Sequence, residues 1–213
     1  MIVELSEAQA RVLGALVEKS LTTPDQYPLS LNSLILACNQ KTSREPVMNL
    51  DEATVGATLH FLLEKSLAGR LHEPGSRVPK FMHHIEMLLT GADNKTIAVI
   101  CVLLLRGPQT AGELKTRTDR LCEFASAAEV ESLLQDLAQR SEPWVVKPPR
   151  QPGQKEVRYR HLFCAAPAPG QSPILAAPPP APVDRLAQLE KRVEALEALV
   201  KSLGQPRQGY PPS

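Results

Sequence analysis

Four thiols and five imidazoles are the groups in this 213-residue chain best suited to metal binding or proton transfer. Cys38, Cys101, Cys122 and Cys164 contain no Cys-x-x-Cys pair and have no histidine at ligand spacing, so they indicate neither a zinc site nor a disulfide framework. Cys38 and Cys101 fall in apolar segments with helical spacing and are expected as small core residues. His83 and His84 are adjacent, and neighbouring side chains in a strand point to opposite faces, which makes the two poor partners for one ion. His161 alternates with Tyr159 and Phe163 and is expected as a packed or hydrogen-bonded ring, while His60, beside an apolar helical stripe, is expected at the surface. The sequence contains no Gly-x-x-x-x-Gly-Lys-Ser/Thr, Gly-x-Gly-x-x-Gly, His-Glu-x-x-His or Gly-x-Ser-x-Gly motif. No carboxylate pair stands at a spacing that singles it out. The expectation is a protein without catalytic residues, metal ligands or a cofactor.

Phosphate contact is the other chemistry the side chains suggest. From Arg140 to His161, six cations (Arg140, Lys147, Arg150, Lys155, Arg158 and Arg160) face only Glu142 and Glu156. Arg70, Arg77 and Lys80 lie in an earlier stretch of the same kind, and Lys41 and Arg44 in the loop before it. The candidate nucleic-acid contacts are therefore Lys41, Arg44, Arg70, Arg77, Lys80, Arg150, Lys155, Arg158 and Arg160. Such cations would position a duplex without reading its bases. The opposing reading is a solvated strand face, which is ordinary at a protein surface.

The elements that must position these residues are legible from caps and periodicity. Ser6-x-x-Gln9 is a capping box, and Val12, Leu13, Leu16 and Val17 follow at helical spacing until Thr22-Thr23-Pro24. Tyr27-Pro28-Leu29 is extended, and Ser30 caps a short helix with Leu31, Leu34, Ile35 and Cys38. Asn49-x-x-Glu52 opens a third helix with Val55, Leu59, Leu62 and Leu63, and two runs (68–73 and 77–83) around Pro74-Gly75 predict a β-hairpin. The order then repeats. Ile97–Leu105 is a helix stopped by Gly107-Pro108, Thr110-x-x-Glu113 and Ser126-x-x-Glu129 open two more, and Trp144–Val146 and Val157–Phe163 flank a turn at Pro152-Gly153. The two Pro-Gly turns stand 78 residues apart and the third-helix stripes 75 apart, which indicates a duplicated unit. Three helices enclosing a small core, with a hairpin over the third, is the winged helix-turn-helix pattern. Two plain helical bundles with unrelated hairpins are the alternative. In a winged helix the third helix enters the major groove. Here those helices lead with Asp51 and Glu52, and with Glu129, Glu131 and Asp136, which repel phosphate.

The predicted fold class is thus mainly α with small β-hairpins, in two tandem winged helix-turn-helix domains (1–88 and 89–164). A Pro/Ala-rich linker (165–183), a short coiled-coil helix (184–204) and a disordered tail (205–213) follow. Leu186, Leu189, Val193, Leu196, Val200 and Leu203 form the coiled-coil seam, with Leu, Val and Val at a and Leu at every d, and valine at a with leucine at d is what parallel dimers prefer. Arg185 and Arg192 at g face Glu190 and Glu197 at e in that arrangement. The stripe is under three heptads long, so docking on the chain's own body competes with self-association. The longest apolar run, Ile97–Leu105, is nine residues against the ~20 of a membrane span, and no secretory signal pattern opens the sequence. A cytoplasmic location is expected. With 24 Lys+Arg, 23 Asp+Glu and a net charge of +1, bulk charge does not hold this chain to nucleic acid.

The run from Glu18-Lys19 through Thr22-Thr23-Pro24, Gln26-Tyr27-Pro28-Leu29-Ser30, Ala37–Thr42 and Arg44–Leu50 closely resembles the YceH family of bacterial proteins. Leu103–Gly107, Gln109-Thr110, Gly112-Glu113-Leu114, Glu129-Val130-Glu131, Arg158-Tyr159 and His161-Leu162-Phe163 carry the same likeness, which spans residues 5–163. The resemblance implies a pair of winged-helix domains and transfers no catalytic or binding residue. Two functions follow as expectations. One is a regulator-like protein that contacts duplex DNA through basic wings. The other is a non-enzymatic scaffold that binds protein with the same domains and associates with itself through the C-terminal helix. The loop 39–50 poses the same choice, between a recognition surface and a structural network in which Arg44 or Lys41 pairs with Glu45 and Asn49 caps a helix.

Overall fold

A computed structural model describes residues 4–72, 75, 78–149 and 156–164. It is mainly helical with two small antiparallel sheets. Helix α1 spans Glu7–Thr22 and begins on a complete capping box between Ser6 and Gln9. A 3-10 turn, Pro24–Gln26, leads to strand β1, Leu29–Ser30. Ser30 caps α2, Leu31–Cys38, as the sequence predicts. Helix α3, Glu52–Glu64, starts two residues later than the Asn49 reading. Its cap is Asp51, whose carboxylate accepts from the Thr54 amide. The displacement has a local cause. Asn39 clasps Leu50 through both its amide donor and its carbonyl, which holds residues 49–50 out of the helix.

Strands β2, Ala68–Leu71, and β3, Lys80–His83, form the expected hairpin. The sheet is larger than the sequence reading allows. β1 pairs with the far side of β3, Leu29 opposite Phe81, giving the order β1-β3-β2. A 3-10 turn, Ile85–Met87, and an Asp93 cap precede α4, Asn94–Arg106, which starts earlier than Ile97. Gly107, at φ 66, ends it. Thr110 caps α5, Ala111–Thr118, with a second complete capping box, and Ser126 caps α6, Ala127–Ala138. Strands β4, Val145–Val146, and β5, Arg160–His161, pair as a shorter ladder than Val157–Phe163 implies. Gln109, just before α5, exchanges two backbone hydrogen bonds with Tyr159. The segment before the second helix of each series thus pairs with that series' returning strand. The Pro152-Gly153 turn, the linker and the C-terminal helix lie outside the described residues.

Helices α1 and α4 sit at the centre. Every residue from Ala10 to Glu18 is buried, as is every residue from Ala98 to Leu105. The two helices approach closely at Gly14, where an added Cβ would stand 3.0 Å from the Leu105 side chain and 3.1 Å from Leu104 Cβ. Apolar side chains of both series belong to one cluster. Leu5 donates its amide to Phe163 O at 2.7 Å and so ties the start of the first series to the end of the second. Among the described residues no helix is long and apolar enough to cross a membrane.

Candidate functional site

The motif-rich loop 39–50 is held from beneath by buried charge. Arg44 lies fully inside. Its Nη2 donates to Glu18 Oε2 at 2.6 Å, Nε and Nη2 donate to Ala37 O, and Nη1 donates to Ser43 O. Arg11, buried on α1, donates to Cys38 O, Pro46 O at 2.7 Å and Leu105 O. The two guanidiniums therefore satisfy the terminal carbonyls of α2, where cations complement the helix dipole. Burial first, then the neighbouring Arg44, lowers Arg11 to about 10. Arg44 is withdrawn as a phosphate contact, because its donors are consumed internally and its side chain is inaccessible. The loop is a network, as one reading holds, but its partners differ: Arg44 pairs with Glu18 rather than Glu45, and Asp51 rather than Asn49 caps the helix. Two charges seven residues apart inside an apolar helix, Arg11 and Glu18, are the available sequence signal.

The remaining candidate cations divide. Arg158 makes a forked pair with Glu113, at 2.8 and 2.9 Å, and also donates to Pro108 O. Burial alone would raise the Glu113 carboxyl, but the Thr110 amide and Arg158 outweigh it and hold it below its usual range. Lys147 lies 3.5 Å from Glu131, over the ring of Tyr159, whose hydroxyl donates to the same carboxylate at 2.6 Å. Lys80 is half-buried on β3. Lys41 and Arg70 are exposed and Arg160 is half-exposed, and none of the three has an ion-pair partner among the described residues. Arg77, Arg150 and Lys155 lie outside the described residues, as do Leu186, Leu189, Val193, Leu196, Val200 and Leu203.

The helix surfaces are of opposite character. Neither α3 nor α6 contains a lysine or arginine. Asp51, Glu52, His60 and Glu64 are exposed on or before α3, and Ser132, Gln135 and Asp136 on α6. Leu36 on α2 is 73% exposed, and Val47, in the loop that precedes α3, is 52% exposed.

Two of the histidines, His83 and His161, are tied into the backbone. His83 Nδ1 accepts from the Ile85 amide and His161 Nδ1 from the Phe163 amide, the same contact in each series. His83 Nε2 lies 2.9 Å from Ser20 Oγ, and His161 stacks on Phe163. Cys38 and Cys101 are buried, and burial pushes the Cys38 thiol up to about 12. Among the described residues no three His, Cys, Asp or Glu side chains gather as metal ligands would.

The profile of a family described as "Protein of unknown function, DUF480" matches residues 5–154. A UPF0502 protein of Photobacterium profundum is 46% identical over 213 residues, covering 95% of this chain and 96% of its own. UPF0502 proteins of Serratia proteamaculans and Shewanella piezotolerans are 47% and 48% identical over 209 and 204 residues. They cover 95% and 94% of this chain, and 93% and 94% of their own lengths.

Proposed function

From the premise that this chain belongs to the DUF480 family of bacterial proteins, we propose that it is a pair of winged-helix units whose work is to hold a protein partner, without catalysis. The units are residues 1–88 and 89–164. The same order of three helices and a hairpin in both supports this, as does the pairing of the segment before each second helix, Leu29 with Phe81 and Gln109 with Tyr159. The YceH-like motifs point the same way.

The observation that carries the protein-binding reading is the charge of the third helices. A helix in the major groove lies between two rows of phosphates. Helices α3 and α6 bring carboxylates to that position and no cation. Leu36, on the helix before α3, and Val47, in the loop between the two helices, are exposed, and apolar side chains at an exposed face are what a protein interface uses. A photo-crosslinker at position 47 is expected to give a discrete protein adduct in cells, reduced several-fold by Leu36→Asp. Saturable binding to mixed duplexes at about 50 mM salt, with no adduct, overturns the reading.

A second reading has its own observation: Lys41, Arg70 and Arg160 have no ion-pair partner among the described residues. Duplex binding through these wings is expected to lose about one unit of salt slope per cation in Arg70→Ala and Arg160→Ala. An unchanged slope removes it. Self-association through Leu186–Leu203 rests on the heptad pattern. Light scattering of the full chain should give a dimer mass that Leu189→Asp with Leu196→Asp reduces to that of a monomer. Equal masses end it.

A further inference from the structure

Three arginines stand around the place where the loop 39–50 meets the end of α4. Arg106 lies in the last turn of α4, Arg117 in the last turn of α5 and Arg120 just beyond it. Loop and helix are fixed together there, since Glu45 donates its amide to Leu105 O at 3.0 Å. Arg120 reaches across to the loop, donating to Ser43 Oγ at 3.1 Å and lying 3.5 Å from Glu18 Oε1.

Two of these arginines, Arg106 and Arg117, carry donors without acceptors among the described residues. Arg117 Nη1 is buried with no hydrogen-bond partner, and Nη2 is 3.9 Å from Glu113. The Arg106 side chain, half-buried, has no hydrogen-bond or ion-pair partner among the described residues. The neighbouring carboxylates are already engaged. Glu18 holds Arg44 at 2.6 Å, and Glu113 holds Arg158 twice as well as the Thr110 amide. Only Glu45, exposed to water, remains near Arg106. Burial, then Arg117, Arg44 and Arg120 together, lowers the Arg106 guanidinium against the pull of Glu45. Five guanidiniums thus share three carboxylates, and like charges are held together with donors unfilled.

We propose that Arg106, Arg117 and Arg120 form a seat for the phosphate group of a small phosphorylated molecule. A phosphate monoester brings two charges and several acceptor oxygens, which matches the excess of planar, forked donors. A duplex backbone needs a row of outward cations. Here only Arg120 is well exposed, at 63% of its side chain, and the other two are half-enclosed. The seat does not depend on the protein-binding reading and is separate from the wing cations.

The test is calorimetric titration of the full chain with inorganic phosphate and with pyrophosphate, at an ionic strength of about 50 mM balanced with chloride. Saturable binding of pyrophosphate is expected. Arg106→Gln and Arg120→Gln should each weaken it about tenfold, the effect of losing a charge-assisted hydrogen bond, and Arg70→Gln should leave it unchanged. If Arg117→Gln fails to fold, exposed Arg120 carries the result. Absence of saturable heat overturns the proposal, and so does equal affinity in all variants. A short duplex is titrated in parallel. Duplex binding that needs these three arginines, without pyrophosphate binding, reassigns the seat to a nucleic-acid backbone and equally overturns the small-molecule proposal.

Discussion

His161 is pushed down to about 4 by burial, with Arg160 adding to the effect, and burial likewise lowers His83. Both rings are neutral in the fold, while the unfolded chain protonates them near 6.5. The unfolded state therefore binds protons first on acidification. Stability is complete above pH 6.5 and falls as pH drops from 6.5 toward about 4. Urea midpoints measured across that window should decline, and His161→Gln should flatten the decline; an identical slope in the variant would refute the assignment. The two arginine–glutamate pairs differ in the same physical sense. Removing Arg44 leaves buried Glu18 with only its longer contact to Arg120, so Arg44→Ala should lower unfolding free energy by about 3–5 kcal/mol. Arg158→Ala, at a pair about a third exposed, should cost no more than about 1 kcal/mol. Comparable losses in denaturation would show that burial does not separate them. Sequence reading places His161 and Cys38 inside because alternation and apolar spacing mark the core. It takes Arg44 for a surface cation because nothing local announces a partner 26 residues away.

Helix starts are legible because a Ser or Thr cap acts within three residues, and Ser6, Ser30, Thr110 and Ser126 all behave so. Asn49 and Asp51 are both cap formers, and only the Asn39–Leu50 clasp decides between them. The β1–β3 pairing joins residues some fifty positions apart and leaves no local periodicity to read. The arginine seat escapes sequence reading for the same reason, since α4, α5 and the segment after α5 each contribute a single cation. Helix α1 explains one further residue. Gly14 weakens a helix on propensity, yet α4 packs closely against it. Gly14→Val should force the helices apart and destabilise by about 1–3 kcal/mol in thermal or urea unfolding. A variant as stable as the parent would mean the approach has slack.

At the scale of the molecule, periodicity reveals the two helical series and their hairpins but not their shared interior. Amphipathic stripes report that a face is buried, not what buries it. The stripes of α1 and α4 bury one another, within a single apolar cluster. Unfolding should accordingly be one transition. Trp144 fluorescence reports the second series, and labelling of buried Cys38, read by mass spectrometry, reports the first. Their urea midpoints should coincide, and separated midpoints would mean the two series melt independently. The bond between Leu5 and Phe163 brings one further consequence. Because the polypeptide enters and leaves this body at adjacent points, its covalent order is interchangeable. A circular permutant that splices Cys164 to Leu5 through a few glycines, reopened at the exposed Gly91 turn, would present the second series first and retain every interior neighbour described above.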